Sequence, residues 1–409
     1  MTHRLLSYCS CLALAGFLAG CDTVQNTATG ETGTESTKIL ATPEAQKEAI
    51  KPTPSHQVTV TLGEEQTLKV LYSYPNKPDS QETLSQTIEH YLNQRLSRDL
   101  IPNASAKVAI NSDGVYEATL SGNSANIEDY QLQISTFLAN GQEAANAVTS
   151  LKENGIWNNE EWRFFLPLGL SIVNQRSVQL LHFPPDYSLP DQDYLDSKTS
   201  QRWEKLLELN SVPSSEVTLY ESILDVAPIA APASAGGTLS DTYSYFEPYV
   251  VDMLPLLLDI DEGSTSALPI VAYGGPVRSW VKSHYNLSDF GVNTFDSVQI
   301  TDSVAAPILG ANHPSYIWYA KDNGRAAAMK VMQQDLVSAC WQARMGQSPS
   351  SDGSTVLGKC NSYWAEKPME VCINMEIQAY NKTEQQAEEI CENNIPDSDT
   401  QENLAGDTF

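Results

Sequence analysis

Apolar positions near the beginning of the chain follow two different periods. Apolar and polar residues alternate over 58–62, which is typical of a half-buried strand. A second alternation over 115–120 follows the turn 111–114, whose Asp-Gly pair accepts the positive φ of a hairpin turn. Leucine or isoleucine recurs every four positions from Leu84 to Leu96, as on the buried face of a helix. These patterns predict a mixed α+β domain over 58–195.

Beyond that region, short apolar runs alternate with helical patterns. The strand-like runs lie at 218–224, 268–273, 298–300 and 307–309, and the helical patterns at 241–258, 277–284 and 325–345. Strand-helix-strand units join parallel neighbours and place helices on both faces of a sheet. A three-layer α/β domain with a mainly parallel sheet is therefore expected over 196–345.

The last part of the chain combines helical spacing with four cysteines. The cysteines are Cys340, Cys360, Cys372 and Cys391. In an exported chain an even number of cysteines indicates disulfides, and four cysteines allow three pairings. We predict a disulfide-linked helical extension over 346–393. Residues 394–409 are rich in acidic residues and contain no basic one, which predicts a disordered tail.

One of the three cysteine pairings is favoured by helix geometry. Residues 369–380 have helical spacing, and Thr383 with Gln386 resembles a capping box that starts a second helix. If these helices fold back on each other, their two cysteines lie at the same height. The predicted bonds are Cys340–Cys360 and Cys372–Cys391. The pairing Cys340–Cys391 with Cys360–Cys372 is the alternative, and free thiols are a further one.

The beginning of the chain has the features of an export signal. An apolar run from Leu5 to Ala19 follows one cation, Arg4, and is too short to span a bilayer. It closes with Leu18-Ala19-Gly20-Cys21, which resembles the lipobox of bacterial lipoproteins. The resemblance implies a signal peptide over 1–20, cleavage before Cys21, and lipid attachment, including palmitate, at Cys21. A plain signal peptide or a buried apolar segment is the alternative.

The segment after the lipobox predicts where the folded part lies. Residues 21–57 are rich in Thr, Glu, Ala and Pro, which indicates a flexible tether. The chain is therefore expected to be a lipid-anchored protein of the bacterial cell envelope, with its domains in the periplasm. Asp22 occupies the position that retains lipoproteins in the inner membrane of enteric bacteria. Because that rule varies between bacterial groups, the inner and outer membranes both stay open.

Charge limits the class of partner. The chain has 24 basic and 51 acidic residues, and a net charge of −27. Nucleic-acid binding relies on clustered Lys and Arg, and no cluster of these residues is apparent along the sequence. The same acidity opposes a polybasic contact with anionic lipid. The expected partners are the membrane, through the N-terminal lipid, and an envelope protein, with no nucleic acid.

Candidate chemistry lies at the ends of the predicted strands, where open α/β sheets bind ligands. Three turns occur there, at 225–228, 274–278 and 310–315. Their order and spacing resemble the uracil-DNA glycosylase superfamily over 217–345. His313-Pro314-Ser315 matches the third motif, whose His in that family stabilises the departing uracil anion. The first motif matches only at Ala227-Pro228.

The resemblance implies a glycosylase-like fold without glycosylase activity. Asp225 lies one residue out of register with the water-directing carboxylate of that family, and the acidic chain is poorly suited to bind DNA. No sequence motif for a cofactor is found. Residues 259–263 are rich in acids, but the following positions lack the ligands of a calcium loop, so no metal site is predicted.

Two functional hypotheses follow. The first is a scaffold or partner-binding lipoprotein without enzymatic activity. The second is an envelope enzyme or small-ligand binder at the strand ends, with Asp225, Arg278, Asn312 and His313 as catalytic or ligand candidates. Arg278 could pair with an anion, and His313 could exchange a proton near neutral pH. A separation of more than about 10 Å between Asp225 and His313 would count against the second hypothesis, because catalytic partners lie within hydrogen-bond reach.

Overall fold

The part of the chain that the structure describes begins at the first predicted strand. The computed structural model describes residues 56–63, 68, 84–98, 103–123, 126–157, 162–164, 175–183, 197–231, 236–260 and 264–394. The predicted signal peptide over 1–20 and the tether, apart from its last two residues, lie outside these ranges. So does the predicted acidic tail beyond Asn394.

Strands and helices alternate along most of the described chain. The strands are β1 His56–Gly63, β2 Ser105–Ile110, β3 Tyr116–Gly122, β4 Arg163–Phe164, β5 Val178–Leu181, β6 Ser222–Asp225, β7 Ile229–Ala230, β8 Ile270–Tyr273, β9 Phe295–Gln299 and β10 Ala305–Ala311. The helices are α1 Leu84–Arg98, α2 Asn126–Glu153, α3 Lys198–Glu208, α4 Ser214–Val217, α5 Gly236–Leu239, α6 Tyr243–Leu257, α7 Gly275–His284, α8 Tyr316–Ala320, α9 Arg325–Gln347, α10 Gly353–Ala365, α11 Pro368–Tyr380 and α12 Glu384–Asn394. Short 3₁₀ turns occupy Thr218–Tyr220, Ser240–Thr242 and Lys321–Asn323.

The first sheet is small and antiparallel, with strand order β1-β3-β2. The predicted hairpin is confirmed: β2 pairs with β3, and the amide of Asn111 donates to the carbonyl of Val115 at 2.9 Å. Gly114 has a φ of 79°, the left-handed conformation that the Asp-Gly pair predicts. In β3, buried and half-buried residues alternate, so one face packs inward. In the stripe of α1, Ile88, Leu92 and Leu96 are buried, as the spacing predicts, and Leu84 at the helix start is half-buried.

The second sheet has five strands, in the order β6-β5-β8-β10-β9. Four of its strands run parallel, and β9 pairs antiparallel with β10 at the edge. The described chain thus has a mixed α/β architecture with a mainly parallel sheet, as the sequence predicts. β4 and β7 form a separate antiparallel pair.

The five-stranded sheet contains strands from both sides of the predicted domain boundary at 195/196. β5 precedes that boundary and lies between β6 and β8. Val178–Leu181 therefore lies in the region that the sequence predicts to be the first domain, 58–195. Gln179 is buried, and its amide donates to the carbonyl of Tyr220 at 3.0 Å. All described residues belong to one compact unit that begins at Thr53.

Both predicted disulfides are present in the C-terminal helices. Cys340 in α9 bonds Cys360 in α10, with Cα atoms 5.8 Å apart, and Cys372 in α11 bonds Cys391 in α12, with Cα atoms 5.9 Å apart. The helix hairpin that brings the second pair together turns at Asn381, whose left-handed conformation ends α11. All four cysteines are buried.

The predicted capping box starts α12. The backbone amide of Thr383 donates to the Gln386 side-chain oxygen at 3.2 Å, and the amide of Gln386 donates to the Thr383 hydroxyl at 3.3 Å. These reciprocal bonds satisfy two of the amides that a helix start leaves without intrahelical partners. Local chemistry therefore sets both the break between α11 and α12 and the point at which the chain turns back.

Candidate functional site

The three predicted turns do follow strands of the parallel sheet. They come after β6, β8 and β10, and these strands point the same way. Their carboxyl ends therefore lie at one edge of the sheet. β5 also ends at this edge, between β6 and β8, and brings His182 to it.

Asp225 and His313 follow strands that are not neighbours. The strand that ends at Asp225, β6, is separated from β10 by β5 and β8. His313 lies beyond the end of β10, and its Cβ is 3.5 Å from where a Cβ on Gly274 would be, so it faces the end of β8. Asp225 is fully buried, and among the described residues neither of its carboxyl oxygens has a hydrogen-bond partner. Burial raises its pKa to about 8, so the carboxyl is mainly protonated at neutral pH.

His313 is partly exposed and engaged with its own turn. Its Nδ1 lies 2.7 Å from the hydroxyl oxygen of Ser315. The pKa of His313 is lowered to about 4, chiefly by burial and also by electrostatic interactions with His182 and Arg202. The expectation that His313 exchanges a proton near neutrality therefore does not hold, because the imidazole is neutral at pH 7.

His182 packs among aromatic rings. It is half-buried, and its ring makes edge-to-face contacts with Phe183, at a centroid distance of 4.8 Å, and with Tyr243, at 5.6 Å. Burial lowers its pKa to about 4. Two neutral histidines thus approach the same end of the sheet.

Asn312 is part of a buried polar cluster. Its amide nitrogen donates to the Asp335 carboxylate at 3.1 Å and to the side-chain oxygen of Gln334 at 3.2 Å. Asn312 is 8% exposed. Its donor groups therefore connect the end of β10 to α9 and are not free to contact a substrate.

An ion pair between Arg202 and Asp335 lies at the centre of this cluster. Their side chains are 2.8 Å apart, and each is 3% exposed. Arg202 also donates to the carbonyl of Pro314 at 2.7 Å. Burial raises the pKa of Asp335 to about 6, while Arg202 and Asn312 oppose that rise. The turn His313-Pro314-Ser315 is thereby fixed to both α3 and α9.

Arg278 also supports the end of β10. Its guanidinium donates to the carbonyl of Ala311, and burial lowers its pKa. Beside it, Gly310 leaves no room for a side chain, because a Cβ there would overlap the carbonyl oxygen of Gly291 and lie 2.9 Å from the Arg278 Cδ. The Arg278 side chain therefore occupies space that is open only because residue 310 is a glycine. Among the described residues no acid forms an ion pair with it.

A second polar network crosses the same sheet. The indole of Trp203 donates to the Tyr273 hydroxyl at 3.0 Å, and that hydroxyl donates to Gln342 at 2.9 Å. The Gln342 amide donates to Ser177 at 2.8 Å. These bonds join α3, α9, β8 and the start of β5 through buried side chains.

Sequence reasoning missed the residues that organise the strand ends. Arg202 and Asp335 carry a weak signal, because each is a charged residue beside the apolar stripe of its helix. Trp203 and Leu206 follow Arg202, and Leu336 follows Asp335. A charge at such a position indicates a buried pair, but the sequence does not say which residues pair.

The described residues contain no group of three or more His, Cys, Asp or Glu side chains able to hold a metal ion. Within the same ranges, no helix combines the length and apolar character needed to cross a membrane. Comparison of the chain with protein-family models, with curated proteins and with solved structures gave no match.

Proposed function

We propose that this protein is a lipid-anchored, acidic cell-envelope lipoprotein whose folded part serves as a scaffold or partner-binding module in the periplasm. The observation that carries the proposal is Leu18-Ala19-Gly20-Cys21 at the end of an apolar run that begins at Leu5. Cys21 is the proposed lipid attachment site, and residues 21–57 hold the folded part away from the lipid surface.

The cysteine chemistry supports an exported location. Both disulfides cross-link buried positions of the C-terminal helices. Structural disulfides of this kind persist in oxidising compartments such as the periplasm and are rare in the reducing cytosol. The compartment implied by the cysteines therefore agrees with the one implied by the lipobox.

The contacts at the strand ends count against a catalytic site there. Asn312 and Arg278 donate to groups of the protein itself, and Asp225 is fully buried. His313 is neutral at pH 7 because burial lowers its pKa to about 4. These side chains shape the end of the sheet, and none of them combines exposure with a proton that exchanges near neutrality. The net charge of −27 gives the surface the same sign as nucleic acid and anionic lipid.

A signal exchange tests the anchor. Residues 1–21 are replaced by a secretory signal that is cleaved without lipidation, and the matched control carries the same signal ending in Leu-Ala-Gly-Cys. We expect the first chain in the soluble periplasmic fraction and the control in the membrane fraction. The reason is that, in this proposal, the acyl chains supply the membrane contact.

Folding of the released chain is checked by its two disulfides in non-reducing peptide mapping. If the chain without the lipidated Cys still sediments with membranes after a high-salt wash, the proposal is wrong.

A further inference from the structure

A cleft of about 460 Å³ lies where α3, α8 and the end of α11 meet. α3 contributes Lys198, Arg202 and Lys205, the segment 318–321 contributes Trp318 and Lys321, and α11 contributes Gln378. This volume is in the range of small-molecule sites, and it is far larger than an inorganic ion needs.

The charge of the cleft is opposite to that of the protein. Its lining includes three lysines and an arginine and no acid, in a chain of net charge −27. Lys205 forms an ion pair with Glu208 at 3.2 Å, and Lys321 donates a hydrogen bond to the carbonyl of Ala379 at 3.3 Å. No described carboxylate forms an ion pair with Lys198 or Lys321. Two positive charges are therefore available to a ligand.

Two of the residues that line the cleft have buried polar atoms without partners in the described part of the chain. Arg202 is 5% exposed, and its Nε forms no hydrogen bond although its other nitrogens hold Asp335, Pro314 and Met332. The side-chain nitrogen and oxygen of Gln378 are also buried without partners. Buried polar groups are normally hydrogen-bonded, so their presence in one cleft calls for an explanation.

We propose that this cleft binds a small organic anion, one that carries a phosphate or carboxylate group. Lys198 and Lys321 attract the anionic group, and Arg202 and Gln378 supply hydrogen bonds at the wall. The ring of Trp318 offers an apolar surface for the rest of the molecule, while its Nε1 is already bonded to the carbonyl of Gln378 at 3.1 Å. This inference goes beyond the proposed anchoring role and does not depend on it.

The surroundings keep the two walls of the cleft in place. The Arg202–Asp335 ion pair fixes α3 to α9. On the other side, Arg325 donates to the buried Glu376 at 2.6 Å, two residues before Gln378, and Cys372–Cys391 fastens α11 to α12. A site on such walls is formed before the ligand arrives, which reduces the entropy lost on binding.

Calorimetric titration of the full-length chain in a neutral detergent at low salt tests the inference. Glucose 6-phosphate and citrate represent the two anionic groups, and glucose is the neutral control. We expect at least one anion to bind with a Kd below about 1 mM, and glucose not to bind. Binding by glucose 6-phosphate alone identifies a phosphate site, and binding by citrate alone identifies a carboxylate site.

The double variant Lys198→Ala/Lys321→Ala should weaken that binding by about tenfold or more, because both charge-assisted contacts are lost. Lys359→Ala removes one exposed lysine outside the cleft and should change the Kd by less than about twofold. Equal weakening by both variants, equal binding of glucose, or no binding of either anion would overturn the inference. Because the titration is independent of membrane attachment, its failure would leave the anchoring proposal untouched.

Discussion

Asp335→Ala is expected to lower the free energy of unfolding by about 3–5 kcal/mol, because it leaves the buried charge of Arg202 without its partner. The Asp335 pKa of about 6 means that the carboxylate is ionised at pH 7, where the ion pair is 2.8 Å long. The substitution also removes the acceptor of the Asn312 amide. Urea titration at pH 7 with the disulfides intact measures the loss.

Two further variants separate the charge from the loss of packing. Asp322→Ala removes an exposed acid from the turn after α8 and should change stability by less than about 0.5 kcal/mol. Arg202→Met combined with Asp335→Leu removes both charges and should lose less stability than Asp335→Ala alone. A loss below about 1 kcal/mol for Asp335→Ala would show that the pair does not hold the strand ends together.

Asp225→Asn is expected to stabilise the protein at high pH and to have little effect at low pH. The folded-state pKa of Asp225 is raised to about 8, above an unfolded value of about 3.9. Between these values the unfolded chain has released a proton that the folded chain retains. The contribution of this carboxyl to stability is therefore full below pH 4 and falls by about 1.4 kcal/mol per pH unit until pH 8.

The substitution removes that dependence. We expect Asp225→Asn to gain about 5 kcal/mol at pH 8 and to differ from the parent by less than about 1 kcal/mol at pH 4. Urea titrations at pH 4, 6 and 8 measure the slope, and Asp302→Asn, at an exposed position, is the control. Parallel pH profiles for the parent and Asp225→Asn would mean that the carboxyl is ionised in the folded protein.

Features with local causes could be predicted from the sequence. The Asp-Gly turn produced the β2–β3 hairpin, and the capping box at Thr383 and Gln386 produced the start of α12. Both disulfides followed from the resulting helix hairpin and from the return of the chain after Cys340. In each case, residues within about 20 positions of one another determine the structure.

Features that depend on distant partners could not be predicted. β5 joins the parallel sheet through neighbours on both sides, and its four residues carry too little pattern to reveal them. Arg202 and Asp335 lie on helices far apart in the chain, so the sequence did not reveal that they fix the His313-Pro314-Ser315 turn. The positions of the turns were predicted, whereas the distance from Asp225 to His313 depends on an unexpected strand between them.

The cationic cleft was missed for a similar reason. Lys198, Arg202 and Lys205 recur at helical spacing on α3, and this was the available signal. The third lysine, Lys321, and Gln378 come from parts of the chain that only the fold brings to α3. A search for clusters along the sequence therefore found no basic patch.

Mass spectrometry of the mature N-terminus of the protein, purified from membranes of the native host, decides whether the chain is lipid-anchored. We expect the first residue to be Cys21, with a diacylglyceryl group on its sulfur, and residues 1–20 to be absent. An unmodified Cys21, or a mature chain that begins elsewhere, would show that the proposed envelope lipoprotein is wrong.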